Sequence, residues 1–249
     1  MLWIYATALK RSWECVRRNW VVIFAPAVYG ILLTVIASLV APFGIIGGLL
    51  YSIAVQACLS SGLFLIKNMI ESNKANINDF LNGFTVYLWK VLAIAFILWI
   101  PMRIAGTVLA SVPSGAFIYL LIQLVLFILL NAVPELIYQT RTSGLELIGA
   151  SYNFMVENWL VWLLAHLPVA ALCVYYIWFW LHVMLDLPHP GVGWIQLLLS
   201  GLPRFAIDVL FSFLSGLALT YFMTFRGFLF AQLYGTTRRS RLYRYKAQS

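Results

Sequence analysis

Charge is what this 249-residue chain has least of: charged residues make up 10% of it and hydrophobic residues 63%. A soluble domain carries about 25% charged residues. The shortage excludes an ordinary water-soluble globule and points to a polytopic membrane protein. Cysteine is nearly missing too. Cys15, Cys58 and Cys173 are single and far apart, so neither a disulfide framework nor a thiolate metal site is spelled out. Histidine occurs three times, as His166, His182 and His189. His166 and His182, on one helix, would stand ~24 Å apart and cannot share an ion. Asp186 with His182 and His189 is a conceivable metal site on the outer face, but its spacing is not that of a ligand set. The sequence also lacks a phosphate-cradling glycine loop, a nucleophile elbow and paired aspartates. "SSG" at 60–62 has no catalytic partner, and Asp208 in "AIDV" stands alone. No catalytic constellation, cofactor or metal is expected. The N-terminal "MLWIYATALKRSW" has its basic residues after a short apolar start. That is the wrong order for a signal peptide, so the segment is expected to be retained.

What is present is apolar sequence in long runs. A bilayer core of ~30 Å needs about 20 apolar residues as a helix. Six stretches qualify: 20–40, 45–66, 86–110, 116–138, 159–181 and 207–234. "APFG" at 41–44 and "SVPSG" at 111–115 read as tight reversals. Pro101 is expected to kink the third stretch or end its core. Continuous Leu/Ile/Ala-rich runs fit helices, whereas a membrane barrel needs alternating strands of about ten residues. The predicted fold is therefore all-α, a single membrane bundle over 1–249.

The net charge of +8 is first a topology signal. With the N-terminus in the cytoplasm, fourteen Lys and Arg fall inside, and only Arg103 and Arg204 fall outside. Both termini are therefore expected on the cytoplasmic face. The tail 236–249, "TTRRSRLYRYKAQS", interleaves basic and aromatic residues. It reads as a stop-transfer anchor that attracts anionic lipid headgroups rather than nucleic acid.

One phrase is stated twice. "RSWECVRRNWVV" at 11–22 and "ASYNFMVENWLV" at 150–161 share Ser12/Ser151, Asn19/Asn158, Trp20/Trp159 and Val22/Val161, with Trp13 matching Tyr152. In the first copy Leu9, Trp13, Val16 and Trp20 fall on one helical face. Basic residues occupy the other, with Glu14 and Arg18 at a pairing distance along the helix. This is an amphipathic helix that lies at the membrane surface and leads into a span. The third copy has Ile148, Tyr152, Met155 and Trp159, and a less obvious middle copy has Phe80, Phe84, Tyr87 and Val91. The expectation is three units, about 5–70, 76–140 and 144–235. Each is a lead-in helix, a span out, a turn and a span back. Asn19 and Asn158 sit where the surface helix becomes a span, placed to cap or bend that junction.

The segments "PELIYQTRTSGLELIGASYNFMVENWLVWL" at 134–163 and "ALKRSWECVRRNWVVIFAPAVYG" at 8–30 resemble a phrase of a prokaryotic group. That group comprises six-helix inner-membrane proteins of the YciC-like type and the membrane portion fused to some glycerophosphoryl diester phosphodiesterases. The resemblance implies a multi-pass protein of a prokaryotic plasma (inner) membrane and carries no settled biochemical role. The phosphodiesterase domain has no counterpart here, and the link at 139–147 is too short to hold one.

Ionisable residues inside spans are functional candidates by default. Glu135 and Arg226 lie toward the cytoplasmic part of the fourth and sixth stretches, and Asn131 stands one turn before Glu135. Arg103 and Asp208 lie toward the outer ends of the third and sixth. Each pair would make either an interhelical tie or part of a polar path. The tie is the weightier reading, because these residues lie near the span ends and the midplane offers little beyond Gln56, Gln123 and His166. Glycines at 44, 47, 48, 62, 106 and 216 are expected to permit close helix approach. "GWIQLLLSGLP" at 193–203 reads as a short interfacial or re-entrant helix. The functional expectation is a non-enzymatic organising subunit that packs with lipids and membrane-protein partners. A transporter component with a solute path between the repeats is the alternative.

Overall fold

The computed structural model describes residues 2–184 and 204–236. Among these the secondary structure is helical throughout. In chain order the helices are α1 (Leu2–Arg18), α2 (Ala25–Val40), α3 (Gly44–Ser72), α4 (Ile77–Val86), α5 (Leu88–Leu109), α6 (Gly115–Leu129), α7 (Val133–Gln139), α8 (Gly144–Met184) and α9 (Arg204–Leu233). Five runs are long and apolar enough to cross a membrane, which is the architecture of a multi-pass helical membrane protein.

The first of these runs, Trp20–Ser72, is 53 residues long. Straight, it would measure ~80 Å, far more than a bilayer core. It turns back at the 3₁₀ segment Ala41–Phe43, where Gly44 adopts φ 55°, a left-handed value that glycine reaches without a Cβ clash. The Tyr29 hydroxyl donates to Ser61 Oγ at 2.7 Å, across the resulting α2/α3 hairpin. Asn73, at φ 55°, ends α3. A capping box opens α4: Asn76 N–H donates to Asp79 Oδ2 at 2.8 Å, while the Asn76 side chain accepts from the third helical residue. Pro101 lies inside α5, which continues to Leu109, so it does not end that helix.

α3 is the hub, touching α1, α2, α4, α5, α7 and α9. Its tightest contact is with α4. A Cβ on Gly83 would stand 2.9 Å from Ser61 Cα, so the two backbones meet where only glycine fits. Ser60 Oγ donates to the Gly83 carbonyl (2.6 Å) and accepts from Tyr87 N–H (2.8 Å), and Ser61 Oγ donates to the Phe80 carbonyl (2.7 Å). The "SSG" triplet is thus a helix-packing tie, the use to which lipid-embedded helices put small polar residues.

The three lead-in stripes do not face alike. In α1 and α8 the aromatic members point outward: Trp13 is 55% exposed, Tyr152 51%, Trp20 59% and Trp159 56%, while Val16 and Met155 are buried. Leu9 is exposed and Ile148 half-buried. The face that packs on the protein is offset by one residue, through Ala8, Ser12, Cys15, Val16 and Asn19 in α1 and just beyond it. In α8 it runs through Leu147, Ser151, Phe154, Met155 and Asn158. Small residues let these helices approach, and the wide rings are left at the edge. In the middle copy the stripe turns inward. Phe80 stacks on Tyr29 at 5.2 Å, Phe84 meets the same ring edge-on at 6.1 Å, and Tyr87 and Val91 are buried. Seating Gly83 on Ser61 turns that face of α4 toward α2. The Glu14–Arg18 pair does not close: among the described residues the ion pairs are Lys67–Glu71 and Arg226–Glu135.

Candidate functional site: a buried ion pair between α7, α8 and α9

The stretch expected as one fourth span is two helices, broken at 130–132. Proline causes the break. Pro134 has no N–H to give the Leu130 carbonyl, and its ring crowds that turn. The freed carbonyls are taken up elsewhere. Leu130 accepts from Val133 N–H at 3.0 Å, and Leu129 accepts from Ser151 Oγ of α8 at 2.9 Å. The Asn131 carbonyl accepts from Arg226 Nη2 in a short hydrogen bond. A kink that would otherwise leave polar backbone in an apolar setting therefore becomes the floor of a site.

Glu135, in the first turn of α7, has a side chain that is 0% exposed. Arg226 reaches it from α9 in a two-pronged contact: Nε donates to Oε1 at 2.8 Å and Nη2 to Oε2 at 2.7 Å. This planar fork is the strongest form of the Arg–carboxylate contact. Two rings flank the guanidinium, Trp162 at 5.4 Å and Phe222 at 5.8 Å from their centroids, within cation–π range. Trp162 Nε1–H donates to Asn131 Oδ1 at 2.8 Å. Asn131 thus holds the pair twice, by its backbone toward Arg226 and by its side chain toward Trp162. His166, one turn beyond, pairs Nδ1 with the Trp162 carbonyl at 2.7 Å, and its Nε2 is buried with no hydrogen-bond partner. The Tyr138 hydroxyl, on the next turn of α7 from Glu135, is likewise buried and unpartnered.

The geometry joins Glu135, Arg226 and Asn131. It does the opposite with Arg103, which is exposed and lies 5.9 Å over Trp99 of its own helix. The Asp208 side chain lies outside the described part, as do the His182 side chain, Asp186, His189, the 193–203 segment and the tail beyond residue 236. Among the described residues no group of three or more His, Cys, Asp or Glu lies together. Sequence reasoning missed Trp162 and Phe222. Their signal was there: Phe222 precedes Arg226 by one turn, and Trp162 precedes His166 by one.

Asn19 sits between α1 and the 3₁₀ turn Trp20–Phe24. Its Nδ2 donates to the Cys15 carbonyl (2.9 Å) and the Asn73 carbonyl (3.1 Å), and its Oδ1 accepts from Ala75 N–H (2.9 Å). It bends the junction and ties it to the end of α3. Asn158 Nδ2 makes the matching bond to the Phe154 carbonyl at 3.2 Å, inside an unbroken α8. Cys15 beside this junction gives its S–H to the Met69 carbonyl at 3.0 Å. Burial pushes its thiol up to about 11 against the opposing pull of Arg18 and Asn19, so it is a packing residue and not a nucleophile.

A second feature is a cavity of about 610 Å³ between α2, α3, α5, α7 and α9, with an overwhelmingly apolar lining. The chain matches no family model, no curated protein and no solved structure.

Proposed function

We propose that this protein is a non-enzymatic, multi-pass organising subunit of a prokaryotic plasma (inner) membrane, packing with lipids and with partner membrane proteins in a larger assembly. In this reading six spans form three lead-in-plus-hairpin units, with both termini cytoplasmic and the basic face against anionic headgroups. The observation that carries it is the closure of the Glu135–Arg226 site. Both carboxylate oxygens accept from Arg226, Arg226 also satisfies a freed carbonyl, and Trp162 and Asn131 lock the group. Such a site is a tie between helices rather than a seat for a solute. The apolar character of the cavity supports the same reading, because a solute path calls for polar lining at mid-depth.

The repeat rests on burial. Positions 8, 12, 15, 16, 19 and 22 are buried, and so are 147, 151, 154, 155, 158 and 161, each 139 residues on. The middle unit contributes Lys90, 71 residues after Asn19. It reaches back to its own returning segment, donating to the Ile137 carbonyl (3.3 Å) and the Thr140 carbonyl (3.1 Å). The YciC-like resemblance agrees with this layout. Copurification from native membranes, with mass spectrometry of what accompanies the chain, tests the proposal. Recovery as a free monomer alone would sink it.

The alternative is a transporter component. The unpartnered His166 Nε2 beside the ion pair is the observation in its favour. Solute flux into vesicles that is abolished by both Glu135→Gln and Arg226→Gln, with folding intact, would establish it in place of the organising role.

A further inference from the structure

We propose that the cavity between α2, α3, α5, α7 and α9 seats one acyl chain of a bilayer phospholipid. The inference rests on the membrane-embedded architecture, because every wall of the cavity belongs to an apolar run long enough to span. Its volume, about 610 Å³, is in the range of ligand sites and far beyond the sub-water voids of a packed interior. Its lining carries no charged residue. Its polar side chains are few: the Tyr29 hydroxyl, already committed to Ser61, and Gln56 and Thr220 in a wall otherwise made of apolar groups, too sparse a set to line a site for a polar solute. Along α3 the lining runs from Val55 to Ile66, ~16 Å of helix rise. That length matches a stretch of extended aliphatic chain.

Glycine opens the space. A Cβ on Gly30 would meet nothing within 4 Å, and one on Gly62 would meet only the Tyr29 ring at 3.8 Å. Both glycines line the cavity, so larger residues there fill it without striking backbone. The surrounding bilayer is the one abundant source of aliphatic chains at this depth.

The test uses the full chain in phosphatidylethanolamine/phosphatidylglycerol vesicles doped with a phospholipid that carries a diazirine in its acyl chain. Cross-linked peptides are then mapped by mass spectrometry. Labelling should concentrate on Leu33, Leu59, Ile94 and Met223. Gly30→Phe should lower it at these positions at least fivefold, while leaving labels on the outward Leu120 and Phe127 of α6 unchanged. Ala95→Phe, on a different helix, gives the same readout if Gly30→Phe fails to fold. Cavity labelling no stronger than on α6, or unmoved by either filled variant, overturns the proposal. So does a cross-link from cavity residues to a second copy of the chain, or labelling by a diazirine fatty acid where the phospholipid gives none. These outcomes are read on the isolated chain, so they stand apart from the copurification that tests the organising role.

Discussion

The two arginines inside the described apolar runs live in opposite worlds. Arg226, on α9, is buried in a fork with Glu135 between two rings; Arg103, on α5, is exposed over a single tryptophan of its own helix. Their helices differ in the same way. Of the most apolar stretch, 44% is buried in Phe213–Leu233 but only 11% in Leu88–Leu109 and 11% in Gly115–Gln139. The protein concentrates its packing where α1, α3, α7, α8 and α9 converge, and leaves the α5/α6 hairpin to its surroundings. In lipid, apolar area alone gives helices no reason to associate. Close approach, hydrogen bonds and satisfied polar groups do. The converging region has all three and the hairpin has few.

Four single substitutions and one double change would break or sharpen that contrast. Glu135→Ala strands a buried guanidinium and should cost about 3–5 kcal/mol, lowering the melting temperature of the detergent-solubilised protein by ~10 °C. The double change Glu135→Met with Arg226→Met should recover most of the loss, and a double variant as unstable as the single would refute the tie. Gly83→Leu forces α3 and α4 apart at Ser61 and should cost about 1–3 kcal/mol, read in the same melting assay. Trp162→Phe keeps a ring over Arg226 but removes the bond to Asn131 Oδ1, a loss of about 1 kcal/mol. Arg103→Ala should stay within about 0.5 kcal/mol of the parent. A larger effect there would erase the distinction between the two regions.

Periodicity and length made the helices legible, because a lipid-spanning helix must be long, apolar and continuous. Glu135 and Arg226 stood out for the same reason, since charge in such a run is rare. The break at 130–132 was harder to see. Pro134 marked it, but its consequence depends on whether another helix comes to take the freed Asn131 carbonyl, and that is a tertiary fact. The facing of the stripes was hidden by a shared period. Trp13 and Ser12 stand on faces about 100° apart, and apolarity alone does not separate a face that meets protein from one that meets lipid. Ser12 and Ser151, both buried, carried the better signal through their smallness. Tyr87 and Phe84 misled because α4 is turned to seat Gly83 on Ser61.

The chain is interrupted at Asn19 and at Tyr87, but α8 joins its lead-in stretch to its span in one helix of 41 residues, ~60 Å long. A helix resists bending, so up to Pro168 the stretch 144–158 and the stretch that follows it share one axis. The helix that carries the buried Ser151 and Asn158 is thus the same rod that carries Trp162, the ring that rests on Arg226.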